Sequence, residues 1–78
     1  MRYPSFTYYN CEITVETERQ RDGRWRGRAL IEDKITRGRV EVLPSLAFEA
    51  EEDAFHTILN RVEQQVALIR DPAIIDFV

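Results

Sequence analysis

One cysteine, one histidine and one tryptophan occur in the 78 residues, with three glycines and three prolines. Each scarcity excludes something. Cys11 is alone, so no intrachain disulfide can form. Without a CxxC, and with His56 as the only histidine, no Cys/His set exists for a structural zinc. No stretch approaches the roughly 20 apolar residues that cross a bilayer. The opening MRYPSFTYYN lacks the apolar core of a signal peptide. These absences lead to the expectation of a protein away from the membrane, in the reducing cytoplasm. There is no internal repeat and no low-complexity tract. At this length the chain makes one small domain over 1–78 rather than two.

What is present is a chain 44% hydrophobic and 32% charged, with net charge −3. That balance is soluble and globular rather than disordered. The charge is unevenly spread. Residues 19–39 hold eight basic groups against three acidic ones, +5, whereas 1–18 sum to −2 and 40–78 to −6.

Residues 51–70, EEDAFHTILNRVEQQVALIR, have a helical period. At roughly 100° per residue, Ala54, Phe55, Ile58, Leu59, Val62, Val66 and Ile69 fall within an arc of about 140°. Glu51, Glu52 and Asp53 suit the positive end of the helix dipole, and Asp71-Pro72 stops the run. Such a helix needs a surface to cover.

The surface is legible upstream. Cys11, Ile13, Val15 and Thr17 alternate with Glu12, Thr14, Glu16 and Glu18, the signature of a strand with one buried face. After Asp22-Gly23, the residues Trp25, Gly27, Ala29 and Ile31 alternate with Arg24, Arg26, Arg28 and Leu30. A two-residue loop would oppose Ile13 to Glu32 and mix the faces. A three-residue loop, Arg21-Asp22-Gly23 with Gly23 left-handed, opposes Ile13 to Ile31, Val15 to Ala29 and Thr17 to Gly27. It also sets Glu16 against Arg28 and Glu18 against Arg26. The spacing therefore predicts a type I turn with a G1 bulge.

Residues 33–38 form a second connection, and residues 39–43 a third strand with Val40 and Val42 inward, interrupted by Pro44. Residues 45–49 read as a short extended piece with Leu46 and Phe48 turned to the core. Residues 1–10 read as an aromatic arm (Tyr3, Phe6, Tyr8, Tyr9) over the sheet edge, where Pro4 opposes a regular central strand. Residues 71–78 form an apolar tail. The fold class is α+β: a three-stranded antiparallel meander, with a short fourth strand as an extension, packed against one C-terminal helix.

The chemistry-bearing residues are few. His56 lies outside the apolar arc, one turn after Glu52, and reads as a surface histidine. Cys11 reads as a small core residue, and Trp25 as a cap on the end of the core. The acidic run Glu49, Glu51, Glu52 and Asp53 lacks calcium-loop spacing and fits a helix start. No catalytic, cofactor-binding or metal-binding residue is assigned, and no cofactor is expected. Arg24, Arg26 and Arg28, with Arg37 and Arg39, are the candidates for contacting an anion or nucleic acid. Glu16 and Glu18 stand opposite the row and neutralise it.

The segments DGRWRGRALI (22–31) and FEAEEDA (48–54) resemble a pattern in small bacterial domains. There a strand hairpin with an aromatic after a Gly leads, through a short extended piece, into an acidic-started helix. HicB-like antitoxin domains share this β-β-β-α order, and the resemblance covers residues 11–69. It implies an antiparallel sheet with one helix, and neutralisation of a toxin by docking on it. Those domains carry a Pro- and Gly-containing segment after the second strand; here Glu32-Asp33-Lys34 stands there. No toxin-contacting residue transfers.

The expected function is a non-enzymatic protein-interaction domain that pairs with itself as a homodimer, or with another protein. The tail residues Ile74, Ile75, Phe77 and Val78 are candidates for that contact. The alternative is a nucleic-acid or anion-binding module using the arginines named above. An enzyme would have only His56 and Cys11 to offer, on opposite sides of the helix–sheet layer.

Overall fold

The apolar stripe becomes a helix lying across a sheet. In a computed structural model that describes residues 1–43 and 46–70, the helix α1 spans Glu51–Arg70. Ala54, Ile58, Val62 and Val66, four residues apart, are fully buried; Phe55, Leu59 and Ile69 pack half-buried along the same stripe. Burying each of the larger aliphatics contributes about 1.5–3 kcal/mol.

The surface beneath is an antiparallel sheet of β1 (Phe6–Tyr8), β2 (Cys11–Arg19), β3 (Trp25–Asp33) and β4 (Arg39–Val42), in that spatial order. The expected α+β meander is thus present, with four strands among the described residues. The helix lies over β2 and β3 and barely reaches β4. Beneath it, Cys11, Ile13, Val15, Ala29, Ile31 and Val42 form the sheet half of the core. The other face of the sheet, with Glu12, Glu18, Arg26, Arg28 and Leu30, is exposed.

The β2–β3 register follows the charge and hydrophobic patterns. Ile13 opposes Ile31, Val15 opposes Ala29, Thr17 opposes Gly27 and Glu16 opposes Arg28. Gln20 and Arg24 close a three-residue loop, and Gly23 sits at φ +88°. That left-handed angle suits a residue without Cβ. The Asp22 carboxylate accepts the Arg24 N–H at 3.0 Å and stiffens the turn. Gly27 is a close approach of helix to sheet. A Cβ there would lie 2.8 Å from the Ala54 carbonyl oxygen and 3.1 Å from Ile58 Cβ.

The extra strand comes from the aromatic arm. Tyr9 and Asn10 take φ 49° and 63°, both positive as in a type I′ hairpin turn. Phe6 and Tyr8 then oppose Ile13 and Cys11. Nearer the N-terminus the Tyr3 N–H bonds the Val15 carbonyl at 3.0 Å, and Arg2 bridges to Glu16. Opposed numbers sum to 18 there and to 19 at Phe6, so one extra residue is accommodated at Pro4-Ser5, a β-bulge. The change of step puts Tyr3, Phe6 and Tyr8 all on the helix side despite their mixed odd and even numbers.

Two boundaries differ from expectation. The third long strand ends at Val42 rather than Leu43, and Leu43 is exposed. Leu46 is exposed at 59%, not turned to the core. Among the described residues of that segment, only Phe48 pairs with the sheet, in a single bridge to Trp25, and no described ladder carries alternation back to Leu46. The expectations for Pro44 and for the tail, Ile74, Ile75, Phe77 and Val78, fall outside the described residues.

Candidate functional site

The five candidate arginines do not form one surface. Arg24 belongs to the β2–β3 loop; Arg37, at φ 66°, belongs to the β3–β4 turn at the other end of β3. Arg26, Arg28 and Arg39 project from the open face, and two of them are occupied. Arg28 donates through Nε and Nη2 to one Glu16 oxygen, at 3.0 and 2.7 Å. Arg2 holds the other oxygen, with Nη2 at 2.6 Å. Arg39 Nε donates to Glu32 at 3.0 Å. Arg26 stands opposite Glu18 in the register, yet no ion pair within 4 Å joins them among the described residues.

Glu16 is therefore clamped between two guanidinium groups at the middle of the open face. Hydrogen bonds from Arg28, and then from Arg2, hold its carboxyl below the usual value of 4.5. An open depression of about 410 Å³ lies around it, lined by Arg2, Thr14, Glu16, Arg28, Leu30 and Glu41 among others. Charge of both signs lines it. Sequence reasoning missed Arg2, because its alignment with Glu16 depends on a strand too short to show alternation.

A second polar group ties three elements together where the helix begins. Thr17, 2% exposed, donates its hydroxyl to the Glu51 carboxylate at 2.9 Å. Burial, and then a hydrogen bond with the same carboxylate, push the Tyr3 phenol above its ordinary 10.0. The Tyr3 ring lies 4.3 Å from that of Phe55. Glu51 is thus a structural acceptor on β2 and the arm. Its place at the helix start was legible; its partners, 34 residues or more away, were not.

Asp33 is the other buried polar residue among those described, 5% exposed. Its Oδ1 accepts the backbone N–H of Ile35 at 2.8 Å and of Thr36 at 3.3 Å. It organises the β3–β4 turn. Only its placement in a connection pointed to it.

Cys11 is fully buried in the core, and His56 is exposed on α1 with its ring 5.8 Å from that of Phe55. Cys11 lies six residues along β2 from Thr17, about 20 Å at strand rise, whereas His56 belongs to the helix end near Thr17. The structure does not bring them together. Trp25 is half-buried, its backbone paired with Phe48. Among the described residues, no three His, Cys, Asp or Glu side chains converge as a metal site. No described helix is long and apolar enough to cross a membrane.

Compared with protein-family models, curated proteins and solved structures, the chain matches none.

Proposed function

We propose that this chain is a non-enzymatic interaction domain of the cytoplasm, which docks on a second copy of itself through a sheet edge, without a cofactor. One observation carries the reading. The sheet ends at β4 with nothing described beyond it, and exposed Ile35, in the turn before β4, and Leu43, just after it, flank that strand. Unpaired strand edges flanked by apolar side chains are where chains add to one another. The polar side chains that chemistry would need are engaged in structure instead: Glu51 with Thr17, Asp33 with its turn, Glu16 with two arginines. Docking on a toxin, as the resemblance to HicB-like domains implies, is the form this takes if the partner is another protein. Light scattering across a concentration series tests self-association. The expected result is a mass rising towards twice 9.2 kDa; a constant monomer mass up to millimolar concentration refutes it.

A second reading has Arg26 behind it. This guanidinium, with Arg19, Arg21 and Arg24, makes the β2–β3 end basic, and an anion or nucleic acid would be met there. Salt-dependent oligonucleotide binding, weakened by Arg26→Ala, is its signature. No binding at low salt removes it.

A further inference from the structure

The two edges of the sheet differ in what they leave open. At the β1 edge the strand is three residues long, a bulge precedes it, and Pro4 supplies no N–H. Such features blunt an edge. β4 has neither bulge nor proline in Arg39–Val42.

The β4 backbone turns its hydrogen-bonding groups alternately towards β3 and away from it. Asp33 N–H bonds the Gly38 carbonyl at 2.8 Å, so that opposed pair is of the hydrogen-bonded kind. Hydrogen-bonded pairs alternate along an antiparallel ladder. Ile31 with Val40 and Ala29 with Val42 are then hydrogen-bonded pairs too. Arg39 and Glu41 must turn their N–H and C=O groups away from β3, towards the open side. Their side chains share the exposed face of the sheet, whereas Val40 is half-buried on the helix side.

This arrangement is complementary to itself. We infer that two copies join β4 to β4, antiparallel, across a two-fold axis at Val40, making one eight-stranded sheet with both helices on the same side. The inference rests on the self-association proposed above and specifies its surface. In this register Val40 faces Val40 of the second copy, and Arg39 of each copy faces Glu41 of the other. Arg39 and Glu41 are the residues with outward backbone groups, so both crossed pairs close as hydrogen-bonded pairs. Arg39 already holds Glu32 on its inner side; the second copy's Glu41 extends this into an acid–base–acid row. The axis also brings exposed Leu43 of one copy to the Ile35–Arg37 turn of the other, covering two aliphatics now 62% and 68% exposed. A one-residue shift would instead set Val40 against a charged residue, mixing the faces.

Charge reversal tests this. Sedimentation equilibrium is run on the wild type, on Arg39→Glu, on Glu41→Arg, on the double variant and on an equimolar mixture of the two singles, with circular dichroism confirming folding. Each single variant repels itself at both crossed pairs and is expected to dimerise about tenfold more weakly or worse. The double variant recovers dimerisation, and the two singles form a heterodimer when mixed. Amide exchange on the wild type supplies a readout that needs no variant to fold: the Arg39 and Glu41 amides slow as concentration rises. If the wild type dimerises while these amides stay fast and the single variants associate normally, the β4 pairing is wrong and self-association uses another surface, residues 74–78 being next to test. If the wild type stays monomeric at millimolar concentration, both inferences fall.

Discussion

Replacing Gly27 by alanine adds one methyl group where helix and sheet leave no room for it. The new Cβ would stand 2.8 Å from the Ala54 carbonyl oxygen and 3.1–3.2 Å from Ile58 Cβ and Cγ2. Ordinary contact begins near 3.4 Å, so the helix backbone must retreat by about 0.6 Å to restore van der Waals spacing. It cannot do so locally. Ala54, Ile58, Val62 and Val66 are 0–1% exposed on one rigid rod, and lifting one end loosens the whole stripe. Overpacking of this kind costs about 1–3 kcal/mol. Alanine also restricts the unfolded chain, which returns up to about 1 kcal/mol. The net expectation is a loss of about 1–2 kcal/mol, or a fall in Tm on the order of 5–15 °C for a domain this size. Urea unfolding followed by Trp25 fluorescence and by far-ultraviolet circular dichroism measures it, with an unchanged slope on denaturant. Gly38→Ala is the control: among the described residues its new Cβ meets only Thr36 Oγ1, at 3.4 Å, and stability should hold or rise slightly. A Gly27→Ala protein as stable as the wild type would mean that the helix does not rest on β3 there, and the packing described above would be wrong.

Other perturbations address the polar groups. The folded-state pKa of Glu16 is depressed, so its contribution is complete above about pH 4.5 and is lost as pH falls through the folded value; Glu16→Gln should remove that part of the acid limb in pH-dependent melts, and an unaltered limb would refute the clamp. Thr17→Val keeps the shape but strips the Glu51 carboxylate of a buried donor, and should cost about 1–2 kcal/mol by urea unfolding. At the β3–β4 turn, Asp33→Ala should cost about 1–3 kcal/mol by leaving the Ile35 and Thr36 amides unanswered, whereas Asp33→Asn, which keeps an acceptor oxygen, should cost less; equal losses would show that the turn does not depend on those bonds. Asn10→Gly relaxes one left-handed position of the β1–β2 turn and should raise the melting temperature by a few degrees.

The elements readable from sequence were those with enough residues to show a period. Twenty residues display the helical stripe, and two nine-residue strands display alternation. The β2–β3 register was readable for a sharper reason: only one loop length satisfies both the apolar pairs Ile13–Ile31 and Val15–Ala29 and the charge pair Glu16–Arg28. The β1 hairpin was hidden. Three residues cannot establish alternation, Tyr9-Asn10 lacks the glycine that advertises a type I′ turn, and the bulge at Pro4-Ser5 reverses the parity of the rings. The arginine row was legible as a row, but its fate depended on acids brought in from other strands. Glu16 and Glu32 occupy Arg28 and Arg39, while Arg24 and Arg37 separate to opposite ends of β3. The Tyr3–Thr17–Glu51 group lay beyond sequence reasoning, since a face can be inferred from a period but a lateral position cannot.

The change of step at Pro4 has a consequence for how the first strand finds its place. A uniform three-residue strand could slide along Cys11–Arg19 with little to stop it. An arm that shifts phase just before that strand cannot. Moving by one residue would turn Tyr3 and Tyr8 into water, and moving by two would separate Tyr3 from Phe55 and, in one direction, bring the nitrogen of Pro4 to a carbonyl that needs a proton. The irregularity therefore acts as a lock, admitting the short strand in one alignment only.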